Sequence, residues 1–422
     1  AKHMTLLKSN RAFRIMITAQ LFNNLGTSLF NIVFLMIAAS RPHATLAVTA
    51  VAFITFLPNL FAILLGNLAD KTHDHLRAWS ITRRTQATIF LVMSGLLFAY
   101  ETRAMTFIVL LCLIFINDIL GLYSNLLMKP ISRYILAQKD MQTAMSLEQA
   151  VSITMAMIGG FFGAGLFSLL NNNAAVFSFI NALLFIIAWL VMTTHQSYFT
   201  EAQHQISQNL AHRSRTTLFS DFNITFMSVY RDHLFFQLIV LAAAVNFVST
   251  SLAGLFNLTL LQMHQLMIGN FGTTVAIFGA VETVSMLLGS IVVHDIFQNM
   301  TTKQLIGTAC GLLLLLGLVP SIWPNRLVWL LLIAGIGYVS AKINPRIGAI
   351  MMQRVVPDRL ASVGGLINTL VLATAPLGQL LFLSLANVIT PSFAWLTMST
   401  LLFIIVVYTI YTRQRDLERV EN

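Results

Sequence analysis

The chain of 422 residues is 57% hydrophobic and only 9% charged, with a formal net charge of +10. Soluble domains carry about 25% charged residues, so this composition excludes an ordinary soluble enzyme or binding domain. Cys112 and Cys310 both fall inside apolar stretches, which excludes a disulfide framework.

About twelve apolar stretches follow one another along the chain, each long enough for a helix to cross about 30 Å of hydrocarbon. A backbone in lipid must satisfy its own hydrogen bonds, so each stretch is predicted to be a helix. The predicted spans cover residues 12–39, 44–68, 79–100, 104–128, 142–170, 174–195, 234–261, 270–293, 304–323, 327–350, 359–387 and 393–412. The sequence therefore predicts an all-α membrane protein whose transmembrane helices form two six-helix bundles.

The first bundle is predicted over residues 1–195 and the second over 234–422, with a cytoplasmic linker over 196–233. Within the linker, Leu218, Phe222, Phe226 and Tyr230 recur at every fourth position. This spacing predicts a helix in the inner membrane interface, and the alternative is a mobile linker.

Positive charge fixes the predicted orientation of the spans. If the spans are threaded alternately from an inner N-terminus, all but Arg41, Arg103 and Arg326 of the 25 Lys and Arg residues fall on one side. Cytoplasmic loops of membrane proteins carry such an excess of positive charge. We therefore predict that the protein spans the inner (cytoplasmic) membrane of the cell several times and that both of its termini lie in the cytoplasm. The net charge therefore reports orientation rather than nucleic-acid binding.

Polar stripes mark the first and seventh spans, which are otherwise apolar. The stripes are Asn23, Thr27 and Asn31 in the first span, and Asn246, Thr250 and Asn257 in the seventh. The same offset separates Asn23 from Asn246 and Thr27 from Thr250, which indicates a parallel internal repeat. Each stripe should point away from lipid, where it either lines a substrate cavity or holds helices together; we favour the cavity.

Charged residues inside the spans are the candidates for coupling. Asp118, Glu148 and Glu282 each place a carboxyl in an apolar stretch, which is costly if the carboxyl is charged. A desolvated carboxyl can take up and release a proton, so these are the proton-coupling candidates; each could instead be satisfied by a neighbouring basic or amide group. Lys342 either lines the substrate cavity opposite an acid or extends to the interface.

Glycines cluster in the fifth span. Gly159, Gly160, Gly163 and Gly165 predict a close approach of another helix.

Two sequence patterns resemble known families. The turn Gly66–Asp70 after the second span, with a weaker copy at Gly289–Asp295 after the eighth, resembles the major facilitator superfamily. The stretch Val356–Leu360, followed by Asn368 and Ala375–Gly378, resembles the macrolide-efflux branch of that superfamily. The resemblance implies that spans one and seven line a central cavity and that Asp70 sits at the inner gate. The inner-gate candidates are Asp70, Arg77, Asp295, Arg133 and Arg346.

No phosphate-binding Gly-x-x-x-x-Gly-Lys-Ser/Thr loop occurs, so ATP should not be the direct energy source, and transport should be driven by a gradient or run downhill. We therefore predict a secondary active transporter, a proton-coupled exporter (antiporter) of amphipathic organic compounds such as drugs or macrolides. The three intramembrane carboxyls outnumber the bases expected in the cavity, so a cationic substrate is favoured. The alternatives are an exporter of a dedicated metabolite, such as a siderophore or a peptide, and a transport-dead membrane sensor. We expect no enzyme activity, cofactor or metal, and a monomer whose partners are a small-molecule substrate, protons and the bilayer.

Overall fold

The computed structural model describes residues 2–61, 65, 68–69, 72–137, 140–211, 218–292, 295–354 and 360–411, and for some helical residues only the backbone. Nearly all of the described chain is helical. The helices are α1 (Lys2–Ser9), α2 (Arg11–Ala39), α3 (Ala44–Phe56), α4 (His75–Tyr100), α5 (Ala104–Ile135), α6 (Met141–Leu169), α7 (Ala174–Thr194), α8 (Thr200–Ala211), α9 (Leu218–Tyr230), α10 (His233–Ser249), α11 (Leu252–Gln262), α12 (Phe271–Ile291), α13 (Thr302–Ile322), α14 (Arg326–Arg354), α15 (Leu360–Val388) and α16 (Pro391–Tyr411).

Within the described residues, 10 helical segments are long and apolar enough to cross a membrane, which makes this a multi-pass membrane protein. Helix α4 is not among the 10. Its first half carries Arg77, Arg83 and Arg84, which lower its mean hydropathy although the helix is 26 residues long.

Short polar side chains set where the helices begin. Asp74 accepts a hydrogen bond from the backbone N–H of Arg77 at 3.0 Å and so caps α4. Asn173 does the same for α7. Such caps satisfy backbone donors that the first helical turn leaves without a partner. Between α6 and α7, Asn171 and Asn172 both have φ of 55°, a left-handed conformation that asparagine tolerates.

The first compact unit comprises Ala1–Ser40 and Phe61–Arg215. Within it, α2 packs on α6 and α7, and α4 packs on α5 and α7. Helices α2 and α6 touch where Gly159 and Gly163 remove side-chain bulk. A Cβ on Gly159 would lie 2.9 Å from the backbone N of Leu29, and one on Gly163 would lie 2.6 Å from Ile32 Cγ2. Close helix approach in a membrane depends on such small residues.

The linker contributes a helix to the first unit. In α8, the side chain of Gln203 accepts a hydrogen bond from the backbone N–H of His75 at 2.8 Å and donates one to the His73 carbonyl at 2.6 Å. The start of α4 is therefore tied to the linker. A helix, α9, also forms over the residues where sequence periodicity predicted one; its interfacial position stays a prediction.

The second compact unit comprises Arg41–Leu60 and Thr216–Asn422. Here α12 packs on α14, α13 on α14 and α16, and α10 on α15, while α3 packs on α11 and α15. At Gly378 in α15, an added Cβ would overlap the Phe247 carbonyl oxygen of α10, so these two backbones touch. The predicted domain boundaries stay a prediction, and the compact units divide the chain differently at residues 41–60.

Candidate functional site

A polar cavity of about 330 Å³ lies inside the first compact unit. Its walls come from α2, α4, α5, α6 and α7. It is lined by Met16, Ala19, Gln20, Asn23, Trp79, Arg83, Leu122, Asn125, Leu126, Met128, Ser132, Glu148 and Met192. The cavity therefore combines an apolar wall, several amides and hydroxyls, one cation and one acid, a mixture typical of small-molecule sites.

Arg83 is the centre of the polar wall. It is only 5% exposed, although it lies about 12 Å along α4 from the start of the helix, at 1.5 Å per residue. Its Nη1 donates to Gln86 Oε1 at 2.8 Å, and its Nη2 donates to Asn125 Oδ1 at 3.2 Å. With its amide oxygen turned toward the guanidinium, Asn23 accepts from Nε and Nη2, each at 3.1 Å. The guanidinium carbon of Arg83 lies over the Trp79 ring, 5.4 Å from the ring centroid.

The charge of Arg83 is solvated by amides rather than cancelled by an acid. Among the described residues, no carboxylate lies within ion-pair distance of Arg83. Glu148 lines the same cavity from α6, where its Oε1 accepts a hydrogen bond from Ser132 at 3.4 Å. The cavity thus holds a buried cation and an acid that do not pair with each other.

Sequence reasoning missed Arg83, because it assigned Arg83 with Arg84 to the charged cytoplasmic side. One signal was present: Trp79, Arg83, Gln86 and Phe90 fall at i, i+4, i+7 and i+11, on one helical face. All four are buried, whereas Arg84 is exposed. The face on which the arginine lies, rather than its distance from the helix end, decides its surroundings.

The other two acidic candidates lie outside this cavity. Asp118 is half-buried in the middle of α5, beside the buried Asn117. Glu282 lies in α12 and its side chain is exposed, as is that of Met286 one turn later. The proton-coupling roles of Asp118, Glu148 and Glu282 therefore stay predictions, and Glu148 is the one that lines the described cavity.

The polar stripe of α2 points partly into this cavity. Asn23 is buried there, Thr27 is half-buried, and Asn31 is exposed. In the second unit, Asn246 Nδ2 donates to the Val371 carbonyl of α15 at 2.6 Å, which is a contact between helices. That contact fits the packing alternative for Asn246, and the cavity role of these residues stays a prediction.

The seventh span is interrupted at Thr250, because α10 ends at Ser249 and α11 begins at Leu252. The Thr250 carbonyl accepts a hydrogen bond from the side chain of Gln379, which satisfies backbone freed by the break. Asn257, the last member of this stripe, is buried within α11.

A second polar cluster closes the loop between α12 and α13. Lys342 Nζ lies 2.7 Å from Asp295 Oδ2 and donates to the Val292 carbonyl at 2.6 Å. Tyr338 donates to the same carboxylate at 2.5 Å. The hydrogen bonds from Lys342 and Tyr338 hold the pKa of Asp295 at about 2, below its ordinary value. Arg346 donates to the Gln298 carbonyl at 3.0 Å, so Lys342 and Arg346 of α14 both hold this loop.

These contacts place several predicted residues. Lys342, expected at either the cavity or the interface, contacts the loop that carries Asp295, the second-half counterpart of Asp70. Arg77 is exposed on the first turn of α4. Asp70 and the side chain of Arg133 lie outside the described residues. The inner-gate assignments stay predictions.

No model of a known protein family and no curated protein sequence matches this chain. Solved structures do. A mutant of the nucleoside transporter NupG superposes with a TM-score of 0.69 at 14% identity, covering 94% of this chain and 99% of that one. A mutant peptide transporter POT in complex with sulfate gives 0.69 at 10% identity, covering 95% and 94%. The POT family transporter PepTSo gives 0.67 at 12% identity, covering 95% and 97%.

At these identities the similarity concerns the fold, and it extends over nearly the whole chain. This similarity confirms the predicted fold class. That prediction was based on three features of the sequence: its hydropathy, its internal repeat and the turn after the second span. The chain has the all-helical major facilitator fold of membrane transporters.

Proposed function

We propose that the protein is a secondary active transporter that moves small organic molecules across a membrane in exchange for protons. The observation that carries this proposal is the fold, shared over 94% of the chain with a nucleoside transporter and over 95% with peptide transporters. The cavity of about 330 Å³, with polar groups on an otherwise apolar wall, supplies a place for such a molecule.

Proton coupling is proposed for Glu148, with Asp118 and Glu282 as further candidates. A carboxyl in a membrane is stable when protonated and costly when charged, so its proton affinity depends on which groups and how much water surround it. Glu148 shares the cavity that we propose for the substrate. Binding of a substrate there changes the surroundings of Glu148 and so its affinity for a proton. Such coupling is the physical requirement for exchanging a substrate for a proton.

Export of amphipathic drugs or macrolides is proposed from the sequence resemblance in Ala375–Gly378 and Val356–Leu360. The packing of α15 on α10 explains why position 378 is a glycine, because a side chain there would overlap α10. Residues 355–359 lie outside the described residues. The solved structures of similar fold concern nucleosides and peptides, so both classes belong in a substrate test beside macrolides.

The test is proton flux through the purified protein in liposomes that contain a pH-sensitive dye. Erythromycin, uridine and dialanine are added separately, with and without an uncoupler. We expect proton movement that depends on the added substrate and is opposite in direction to the movement of that substrate. Proton movement with uridine or dialanine alone would retain transport and replace the proposed substrate class. No proton movement with any of a broad panel of drugs, nucleosides and peptides would overturn the proposal.

Amide variants identify the coupling acid. Glu148→Gln should abolish uphill transport while preserving downhill exchange, because the amide cannot carry a proton. Asp118→Asn and Glu282→Gln are measured in parallel. Glu101→Gln is the matched control, because Glu101 is exposed at the end of α4. Uphill transport in all three intramembrane variants would refute proton coupling by these acids.

A further inference from the structure

Arg83 brings a positive charge into the interior of the first compact unit, where its described hydrogen-bond partners are neutral amide oxygens. Amides satisfy the N–H groups of a guanidinium but do not cancel its charge. A buried charge without an opposite charge is costly, since the protein interior screens it poorly. The surroundings of Arg83 therefore favour a ligand that brings a negative charge.

We propose that this cavity binds the carboxylate group of an organic substrate, with Arg83 as its direct partner. This proposal rests on the proposed transport function only in calling the ligand a transported substrate. Binding of a carboxylate does not itself require transport. The planar guanidinium presents two parallel N–H groups whose spacing matches the two oxygens of a carboxylate. Glutamate at position 148 lies in the same cavity, so a bound carboxylate would be sensitive to its charge.

The donors of Arg83 leave room for this contact. A guanidinium has five N–H donors, and Gln86, Asn125 and Asn23 take four of them. A carboxylate can bind the remaining Nη1–H and replace Asn125, whose bond of 3.2 Å is the longest and whose side chain is exposed. The bond to Asn125 has a charged donor but a neutral acceptor, whereas a carboxylate adds an opposite charge, so Coulomb attraction makes this exchange favour the ligand.

The remaining wall fits the apolar part of such a molecule. Met16, Leu122, Leu126 and Met192 give an apolar surface that adapts to different shapes. The volume of about 330 Å³ lies at the small end of ligand sites, which indicates a molecule of one or two rings. This substrate class differs from the cations and the macrolides expected from the sequence, because that expectation did not count Arg83 as a cavity residue.

The experiment measures binding of radiolabelled benzoate to the purified full-length protein in detergent, with benzylammonium and inorganic phosphate as unlabelled competitors. The parent should bind benzoate saturably, and benzylammonium should not displace it. Arg83→Gln should weaken binding about tenfold or more, the loss expected for a charged hydrogen bond. Arg84→Gln is the matched control, because Arg84 is exposed one residue away and does not line the cavity; it should bind as the parent does.

Two further variants keep the test decisive if Arg83→Gln fails to fold. Arg83→Lys preserves charge but not the planar pair of donors, so it should bind benzoate more weakly than the parent. Glu148→Gln replaces the acid of the cavity by a neutral amide, so it should bind benzoate at least as tightly as the parent. Displacement by phosphate as strong as by benzoate would assign the site to phosphate groups, free or on lipids, and overturn the carboxylate proposal.

The proposal is also overturned if the parent shows no saturable benzoate binding up to about 10 mM, the weak limit of useful affinity. Equal binding in the parent and in folded Arg83→Gln, or equal displacement by benzylammonium, would do the same. A protein that transports erythromycin but fails these binding tests would retain the transport function and lose only the carboxylate site.

Discussion

Substituting the glycines of α6 by alanine tests whether the contact between α2 and α6 is a true backbone approach. Gly159 and Gly160 are neighbours on the same helix, but only Gly159 faces α2. A Cβ on Gly159 would overlap Ser28 Cβ and would lie 2.9 Å from both Ser28 C and Leu29 N. A Cβ on Gly160 would have no atom within 4 Å.

The magnitude follows from the difference between the two variants. Both replace glycine by alanine in the same helix, so the gain in helix propensity, about 0.5–1 kcal/mol, is common to both and cancels. Gly159→Ala alone must displace a neighbouring backbone, and overpacking costs about 1–3 kcal/mol. Because backbone atoms cannot rotate away as a side chain can, we expect the free energy of unfolding of Gly159→Ala to lie below that of Gly160→Ala by about 2–3 kcal/mol.

The assay is denaturant unfolding of the detergent-solubilised protein, followed by tryptophan fluorescence. Gly163→Ala should fall between the two variants, because its closest neighbour is the side-chain atom Ile32 Cγ2 at 2.6 Å. Gly165→Ala should behave like Gly160→Ala, since a Cβ there also meets open space. Equal unfolding midpoints for Gly159→Ala and Gly160→Ala, or a lower midpoint for Gly160→Ala, would refute the described packing of α2 on α6.

Three further predictions concern other contacts. Gln203→Ala should accelerate amide hydrogen exchange at the start of α4 while leaving the middle of α4 unchanged, because two hydrogen bonds from the linker are lost. Trp395→Phe should lower stability by about 1–3 kcal/mol in thermal unfolding, because the buried hydroxyl of Thr259 loses its donor at 2.7 Å; Trp323→Phe, at an exposed position, should have no such effect. The pKa of Asp295 is about 2, below its unfolded value, so its contribution to stability is present above about pH 4 and is lost as the pH falls toward 2. Asp295→Asn should remove this contribution at neutral pH and make hydrogen exchange in the α12–α13 loop independent of pH between about 4 and 2, after correction for the intrinsic exchange rate.

Hydropathy predicted most of the fold because, in a membrane, helix length and composition follow directly from the thickness of the hydrocarbon. The predicted helix in the linker also formed over Leu218–Tyr230, from periodicity alone. Helix α8 was not predicted, since its sequence is mostly polar and, apart from the buried Ala202 and Ile206, its described anchors are hydrogen bonds of Gln203 and Ser207 with the residues at the start of α4. A contact that depends on a residue distant in sequence leaves no periodic signal.

The site was harder to predict because it depends on how each helix is rotated about its axis. Threading assigned Arg83 to the charged side of the membrane from its position along the chain, whereas the rotation of α4 turns it toward Asn23 of α2 and Asn125 of α5. Lys342 had two interpretations for the same reason, and its contact with Asp295 depends on a loop far away in sequence. Acidic residues were easier to select, because the cost of a carboxyl in lipid holds whatever the rotation.

The packing of α3 has a consequence for biosynthesis. Helix α3 spans Ala44–Phe56, but it packs on α11 and α15, which begin about 200 and 300 residues later. Chains grow at about 5–20 residues per second, so α3 waits roughly 10–40 s before α11 has been made and longer before α15. Throughout that time α3 is a newly inserted span whose native neighbours do not exist, and lipid or the insertion machinery must cover the faces that those helices later bury. A chain that stalls or is cut in the linker leaves α3 permanently in that condition.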